Sequence, residues 1–149
     1  MKIISASRDH FDSILQIARS LPDWFTEEAI ENLETDLEYN SAIIAVEDDM
    51  AIGFLCYTTY SGKVLLLWMG VAPQNQRTGI GTKLLSWLIE EGRRLKLHNI
   101  EVETLPDEDD YEPYKSTRDF YYKNGFKRTL YKKSSKKGWD DQILLEKEI

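Results

Sequence analysis

A single cysteine, Cys56, stands in a chain of 149 residues, which rules out an internal disulfide and leaves the apolar core to hold the fold. Proline is scarce too: Pro22, Pro73, Pro106 and Pro113 are all there is, and each falls in a stretch that reads as a loop. No apolar run approaches the roughly 18–20 residues that a membrane span needs. The N-terminal stretch meets Arg8 and Asp9 early and has no signal-peptide h-region. Together with the lone thiol, this sets the expectation of a reducing, cytoplasmic location and no membrane partner. Repeats, low-complexity tracts and Pro/Gly/Ser-rich linkers are missing, so residues 1–149 read as one domain. Positive charge is in deficit: 19 Lys and Arg stand against 26 Asp and Glu, a formal net charge of −7. A nucleic-acid partner, whose binding depends on neutralised phosphates, is therefore not expected. No Cys/His/Asp cluster has metal-ligand spacing, and no Gly-x-Ser-x-Gly or Cys/His constellation marks a nucleophile.

Hydrophobic residues make up 42%, enough for a packed interior. Periodicity divides the chain into alternating strands and helices. Lys2–Ala6 is a short strand, and His10–Arg19 places Phe11, Ile14, Leu15 and Ala18 at helical spacing. Thr26 is an N-cap before Glu27 and Glu28, opening a helix that buries Ala29, Ile30, Leu33 and Leu37. Ser41–Val46 and Ala51–Thr59 form a hairpin through residues 47–50, and Ser61-Gly62 is a second turn. Lys63–Val71 is apolar nearly throughout, as a central strand covered on both faces should be. A polar loop, Ala72–Thr78, leads into a long helix from Gly79 to about Leu97. Asn99–Leu105 alternates as a strand, Pro106–Pro113 is an acidic loop, and Tyr114–Asn124 is a helix closed by Gly125. Phe126–Tyr131 and Ile143–Lys147 are the last strands, separated by the basic turn Lys132–Gly138. The order βααβββαβαββ describes an α/β fold, a mixed sheet with helices on both faces.

Charge is unevenly placed. Asp23–Glu38 and Glu101–Glu112 are acidic, whereas Lys123–Lys137 is basic. Such runs are either solvated faces or an acidic approach for a cationic substrate.

The most informative segment runs from Val71 to Leu85. An apolar strand ends, a short loop follows, and Gly79 and Gly81 sit where a helix begins. Helix N-termini carry unpaired N–H groups and the positive end of the dipole, and glycines let that backbone approach a phosphate. A Walker A loop fails here, because Lys83 lacks the glycine framework. A dinucleotide fingerprint fails as well, because Leu84 stands where glycine or alanine is required. What remains is Gln76-x-x-Gly79-x-Gly81. It resembles the CoA-binding motif of the GNAT (GCN5-related N-acetyltransferase) superfamily, in its small single-domain form. Thr117–Phe126, a helix ending in Phe120-Tyr121-x-x-x-Gly125-Phe126, resembles that family's second signature in the same order.

The resemblance implies the GNAT acyl-CoA N-acyltransferase fold and acetyl-CoA as cosubstrate, with no metal. The pantetheine arm would enter a gap between the strands Lys63–Val71 and Asn99–Leu105. Met69 and Val71 would pair with it, and the Val71 amide would lie near the thioester carbonyl, where an N–H stabilises an oxyanion. Gln76, Arg77, Thr78, Gly79, Ile80, Gly81 and Thr82 would hold the pyrophosphate, Arg77 adding a charge-assisted contact. The reaction implied is direct attack by an amine of a small molecule or peptide. Near neutral pH only about one alkyl amine in a thousand is unprotonated, so the site must take one proton and return one to the departing thiolate. Tyr121 occupies the family's general-acid position, although an aromatic residue there also serves to pack the sheet or cofactor. The strand Lys63–Val71 carries no glutamate, a departure from many members, so Glu103 is the preferred base. Glu101 shares its parity and face, and a chain of waters is a third route. His10 and His98 lie away from the presumed centre. Trp24 and Phe25 are candidates for the acceptor wall, and Trp68 sits beside the centre with its direction undecided. A CoA-binding domain without turnover is the alternative. Exposed aromatics and a C-terminal strand leave a homodimer open.

Overall fold

A computed structural model describes residues 1–149. Seven strands form one sheet: β1 (Lys2–Ser5), β2 (Ser41–Glu47), β3 (Met50–Tyr60), β4 (Lys63–Val71), β5 (Asn99–Thr104), β6 (Lys127–Lys132) and β7 (Gln142–Glu148). The helices are α1 (Phe11–Arg19), α2 (Glu27–Tyr39), α3 (Ile80–Arg94) and α4 (Glu112–Lys123). The observed order agrees with the order read from periodicity. Across the sheet the strands run β1-β2-β3-β4-β5-β7-β6, and only β4 and β5 are parallel.

Strand alternation sends successive residues to opposite faces, and each face acquires its own core. Ala42 and Ile44 of β2, with Phe54 and Cys56 of β3, pack under Ile14, Ala18, Ile30 and Leu33 of α1 and α2. Ile43, Leu55, Val64, Ile100 and Val102 face the other way, against Leu84, Leu85 and Leu88 of α3 and Tyr121 of α4. Each large side chain so buried contributes about 1.5–3 kcal/mol. Turn chemistry fixes the register of the central hairpins. Asp48 and Asp49 both have positive φ, as do Ser61 and Gly62, the signature of tight two-residue turns matched to strand twist.

Two boundaries differ from expectation by two residues or more. The long helix stops at Arg94 rather than near Leu97, because Leu95 caps it and Lys96 turns left-handed at φ 59°. The last helix begins at Glu112, two residues early, with Pro113 inside its first turn, where a missing N–H costs nothing. Thr26 caps α2 as expected, accepting from the Ala29 amide at 3.2 Å.

Two departures from regularity make the site. Opposite β3, strand β4 carries a bulge, since Cys56 pairs with Trp68 while Tyr57 pairs with Leu66. Leu67 is the extra residue, and both it and Trp68 pack on the α1/α2 core, after which Met69 and Val71 return to the α3 core. Pairing between β4 and β5 also ends at Leu66–Val102. Beyond that point the strands diverge, and a gap opens in the middle of the sheet.

Candidate active site

A cavity of about 540 Å³ fills this gap. Its lining comes from both faces: Leu21, Trp24, Phe25 and Trp68 from the α1/α2 side, and Ile80, Gly81, Phe120 and Tyr121 from the α3/α4 side. The sheet is therefore perforated where β4 and β5 separate.

At one end lies the loop before α3. Gly79 is left-handed, at φ 86°, and stands at the N-cap without any side-chain cap. The first turn holds no acidic residue. The first helical bond runs from the Lys83 N–H to the Gly79 carbonyl, so the amides of Ile80, Gly81 and Thr82 lack intrahelical partners. The loop braces itself: the Gln76 side-chain amide donates to the Val71 carbonyl at 3.1 Å, and the Thr78 hydroxyl donates to the Asn75 carbonyl. Arg77, at φ 61°, is exposed beside them. The two glycines have different reasons for being there. A Cβ on Gly79 would meet nothing within 4 Å, so backbone conformation is what requires it. A Cβ on Gly81 would meet Phe120 at 3.5 Å, an ordinary contact. Packing does not demand glycine at position 81, whereas close approach of a ligand would. Uncapped amides, a positive helix end and a cleared backbone suit a pyrophosphate, and the gap beyond suits an extended arm. The residues present fit coenzyme A.

Of the nine residues expected at the cofactor, Met69, Val71, Gln76, Arg77, Gly79, Ile80, Gly81 and Thr82 all line the cavity. Thr78 does not, its hydroxyl being turned back to brace the loop.

Tyr121 lies deeper. It is 4% exposed and touches Phe120 and Phe126 edge-on. Thr104 Oγ1 is the one sealed side-chain polar atom without a partner. The Tyr121 hydroxyl has no protein partner, and the residue lines the cavity. Burial, helped by the nearby Tyr114, pushes its pKa well above the ordinary 10, so it stays protonated. The neighbouring tyrosines are committed elsewhere. Tyr122 donates to Asp107 on the surface at 2.9 Å, and burial followed by that carboxylate raises it to about 12. Tyr114 donates to the Trp24 carbonyl at 3.4 Å.

The two glutamates of β5 share a face, but their surroundings separate them. Glu101 is 3% exposed and sits outside the cavity, ion-paired with Lys63 and accepting from Tyr60 at 3.4 Å. Burial pushes its carboxyl up, yet the bonds to Lys63, Glu146 and Tyr60 outweigh this and hold it below the ordinary 4.5. Glu103 reaches the cavity and is the only carboxylate that lines it. Its partner is Lys132 at the end of β6. Neither His10 nor His98 lines the cavity.

Trp68 points toward α2, its indole N–H donating to Asp36 at 2.6 Å, and its ring lies 5.7 Å from that of Phe25. Opposite it on β3, Cys56 is fully buried, and desolvation followed by the Asp36 charge raises its thiol to about 12. It is a core residue, not a nucleophile.

Sequence reasoning missed Thr104, Phe120 and Asn75 as lining residues, and Arg118 as a brace. Arg118 is buried, donates to the Leu105 carbonyl at 3.1 Å and meets Asp107 at 3.3 Å. Arg128 joins the same carboxylate at 3.0 Å. This network pins the β5–α4 loop against α4 and so fixes the wall that carries Tyr121. Because α4 also carries Glu112, Lys115, Asp119 and Lys123, charge alone does not single Arg118 out. The acidic residues Asp107, Asp109, Asp110, Glu112 and Asp119 line a separate hollow outside the cavity, so they do not form an acidic lining for an acceptor.

No helix is long and apolar enough to cross a membrane, and no group of three His, Cys, Asp or Glu is placed to hold a metal. The fold is shared with many solved structures. A GNAT-family protein from Desulfovibrio desulfuricans superposes with a TM-score of 0.84 at 23% identity, covering 99% of each chain. The ribosomal-protein-S18-alanine N-acetyltransferase of Escherichia coli gives 0.78 at 16% identity, covering 99% of this chain and 93% of its own. The PaiA N-acetyltransferase of Thermoplasma acidophilum, solved with coenzyme A, gives 0.73 at 20% identity over the full length of both chains. At these identities the likeness is one of fold. No curated protein matches the sequence. The family profile described as an acetyltransferase (GNAT) domain matches residues 38–128, which span the central strands, the α3 loop and the whole of α4. The chain therefore belongs to the GNAT family, as an acyl-CoA-dependent N-acyltransferase that takes acetyl-CoA as its cosubstrate.

Proposed function

We propose that this enzyme moves the acetyl group of acetyl-CoA directly to the amine of a small acceptor, with Tyr121 as general acid and Glu103 as base. The observation that carries the reading is the perforated sheet. One cavity joins the uncapped start of α3 to a pocket on the opposite face, with Tyr121 reaching it from the α3/α4 side and Glu103 lining it.

In this reading the amides of Gly79 to Thr82 and the Arg77 guanidinium hold the pyrophosphate. The diverging backbone from Met69 to Val71 pairs with the pantetheine arm, and the Val71 amide faces the thioester oxygen, where a fixed N–H is worth most as charge develops. Tyr121 arrives protonated and donates toward the sulfur as it leaves. Glu103, on the acceptor face, takes the amine proton directly or through one water. Lys132 is a positioning residue that holds the Glu103 carboxylate by an ion pair.

The test is calorimetric titration with acetyl-CoA, desulfo-CoA and ATP in parallel, followed by turnover with an amine panel. Saturable acetyl-CoA binding without comparable ATP binding supports the cofactor site, and CoA release on adding an amine supports transfer. Binding without release for any amine would make the chain a CoA-binding domain that lacks turnover. No CoA binding would remove the site itself.

A further inference from the structure

The acceptor end of the cavity has a composition of its own. Leu21, Trp24 and Phe25 come from the α1–α2 turn, Trp68 from β4 past the bulge, and Tyr114 and Thr117 from α4. Carbon surface dominates, and the polar atoms among them are already engaged. The Trp24 indole N–H donates to the Pro113 carbonyl and the Thr117 hydroxyl, both at 3.1 Å. The Trp68 N–H is taken by Asp36 at 2.6 Å, and the Tyr114 hydroxyl donates to the Trp24 carbonyl at 3.4 Å. The Thr117 hydroxyl turns to Pro113 at 3.4 Å. These bonds also tie the α1–α2 turn to α4, with Tyr111 adding a bond to the Asp23 carbonyl at 2.8 Å. The aromatic wall is thus clamped in place before any acceptor arrives.

Charge is almost excluded from the cavity. Arg77 stands at the cofactor end, Glu103 is the only acidic residue in the lining, and Glu103 already has Lys132. A second ammonium entering this pocket would find no carboxylate, and a buried unpaired charge is costly. A polyhydroxylated amine would find the side-chain donors of this wall already engaged, which penalises the hydroxyls it buries against it. A flat apolar body loses nothing of that kind and gains contact with aromatic faces.

From this we infer that the acceptor is a small primary amine with one cationic centre and a neutral, apolar, preferably aromatic body, such as a 2-arylethylamine. This rests on the proposed function only for which end of the cavity takes the acceptor. The slot formed by Trp24, Phe25, Trp68 and Tyr114 holds the body, and the amine points through the sheet toward the cofactor end. Polyamines and aminoglycosides are disfavoured, in spite of the acidic balance of the chain.

The experiment has two arms. Steady-state acetylation is measured with 2-phenylethylamine, spermidine and kanamycin. Independently, binding of each amine to the desulfo-CoA complex is followed by calorimetry, which does not require turnover. The expected result is a kcat/KM for 2-phenylethylamine about tenfold or more above the other two, with the same order in binding. Trp24→Ala should weaken 2-phenylethylamine by about tenfold, while Trp24→Phe, which keeps an apolar ring, should lose much less. Unchanged acetyl-CoA affinity in both variants shows that they still fold. Binding of 2-phenylethylamine without acetylation would support the slot and count against the transfer chemistry instead. Equal or better use of spermidine or kanamycin would overturn the inference and leave acetyl transfer standing. Failure of 2-phenylethylamine to bind the complex would overturn it as well.

Discussion

Gly79 and Gly81 are two residues apart, and the same substitution to alanine should act in opposite directions on the free protein. At Gly81 the backbone is helical and the added Cβ would meet only Phe120, at 3.5 and 3.6 Å, and Val71 at 4.0 Å. Nothing has to move, and alanine is the better helix former by about 0.5–1 kcal/mol. For a chain of this size each kcal/mol is worth about 2–4 °C, so Gly81→Ala should melt about 1–4 °C higher without ligand. At Gly79 the space is empty but φ is +86°, a left-handed conformation that costs an L-residue about 1–2 kcal/mol. Gly79→Ala should therefore melt about 2–8 °C lower. Binding separates the loop's role from its stability. If the pyrophosphate rests against the Gly81 amide, the methyl group holds it off and forfeits a charge-assisted hydrogen bond worth about 1.5–3 kcal/mol. That is a loss of about 10- to 100-fold in acetyl-CoA affinity. Differential scanning calorimetry and titration on the same preparations give both numbers. A Gly81→Ala protein that binds acetyl-CoA as tightly as the unmodified chain would refute the placement of the phosphates, and a Gly79→Ala protein that melts higher would refute the conformational argument.

Tyr121→Phe removes the unpartnered hydroxyl of a cavity-lining residue and keeps the ring contacts with Phe120 and Phe126. Turnover should fall by about 10²-fold or more with acetyl-CoA affinity nearly unchanged, and an equal loss in both would make Tyr121 a packing residue. Thr104→Val replaces a sealed, unpartnered hydroxyl with a methyl group of the same shape. The free protein should gain about 1 kcal/mol, or about 2–4 °C, and a lower melting point would show that Thr104 has a partner after all. The folded Glu101 carboxyl sits below its ordinary 4.5, so its contribution is present above pH 4.5 and is lost as pH falls through the folded value. As pH falls below 4.5 the unmodified chain should lose stability more steeply than Glu101→Gln, and parallel melting curves would show that the Lys63 pair does not couple to folding.

Much of this architecture is legible in the sequence because local and tertiary preferences agree. The alternation of β2 and β3 assigns Ile43 and Leu55 to one core and Ile44 and Phe54 to the other. The Asp48-Asp49 and Ser61-Gly62 turns declare themselves by composition. The start of α3 is legible for the same reason, since Gly79 suits the left-handed N-cap and close approach of a ligand explains glycine at 81. Other features depend on long-range pairing and leave no local trace. The bulge at Leu67 exists only relative to β3, and it is what decides that Trp68 faces α2 and not α3. The choice between Glu101 and Glu103 is similar. Period-2 alternation puts both on one face, but the distance from the last β4–β5 pair at Leu66–Val102 seals one and opens the other. Arg118 was hidden because its partners, Leu105 and Asp107, belong to a loop whose path the sequence does not fix.

Net charge shows why composition is a weak guide to specificity. A balance of −7 suggests a cationic acceptor only if the acids line the path that the acceptor takes. Here only Glu103 lines it, and several of the others are engaged elsewhere. Asp36 accepts from Trp68, Asp107 joins Arg118, Arg128 and Tyr122, Glu108 pairs with Arg128, and Glu101 pairs with Lys63. Several of these carboxylates hold the walls of the cavity in place without entering it. Their common effect is to order aromatic and aliphatic side chains around a passage that carries almost no charge of its own. An acidic surface of this kind still raises the local concentration of any amine near the protein, because every protonated amine is a cation before it reacts. Attraction at the surface and selection in the slot are therefore separate steps. Salt should weaken the first, through the apparent association rate, while leaving the order of preference among bound amines unchanged.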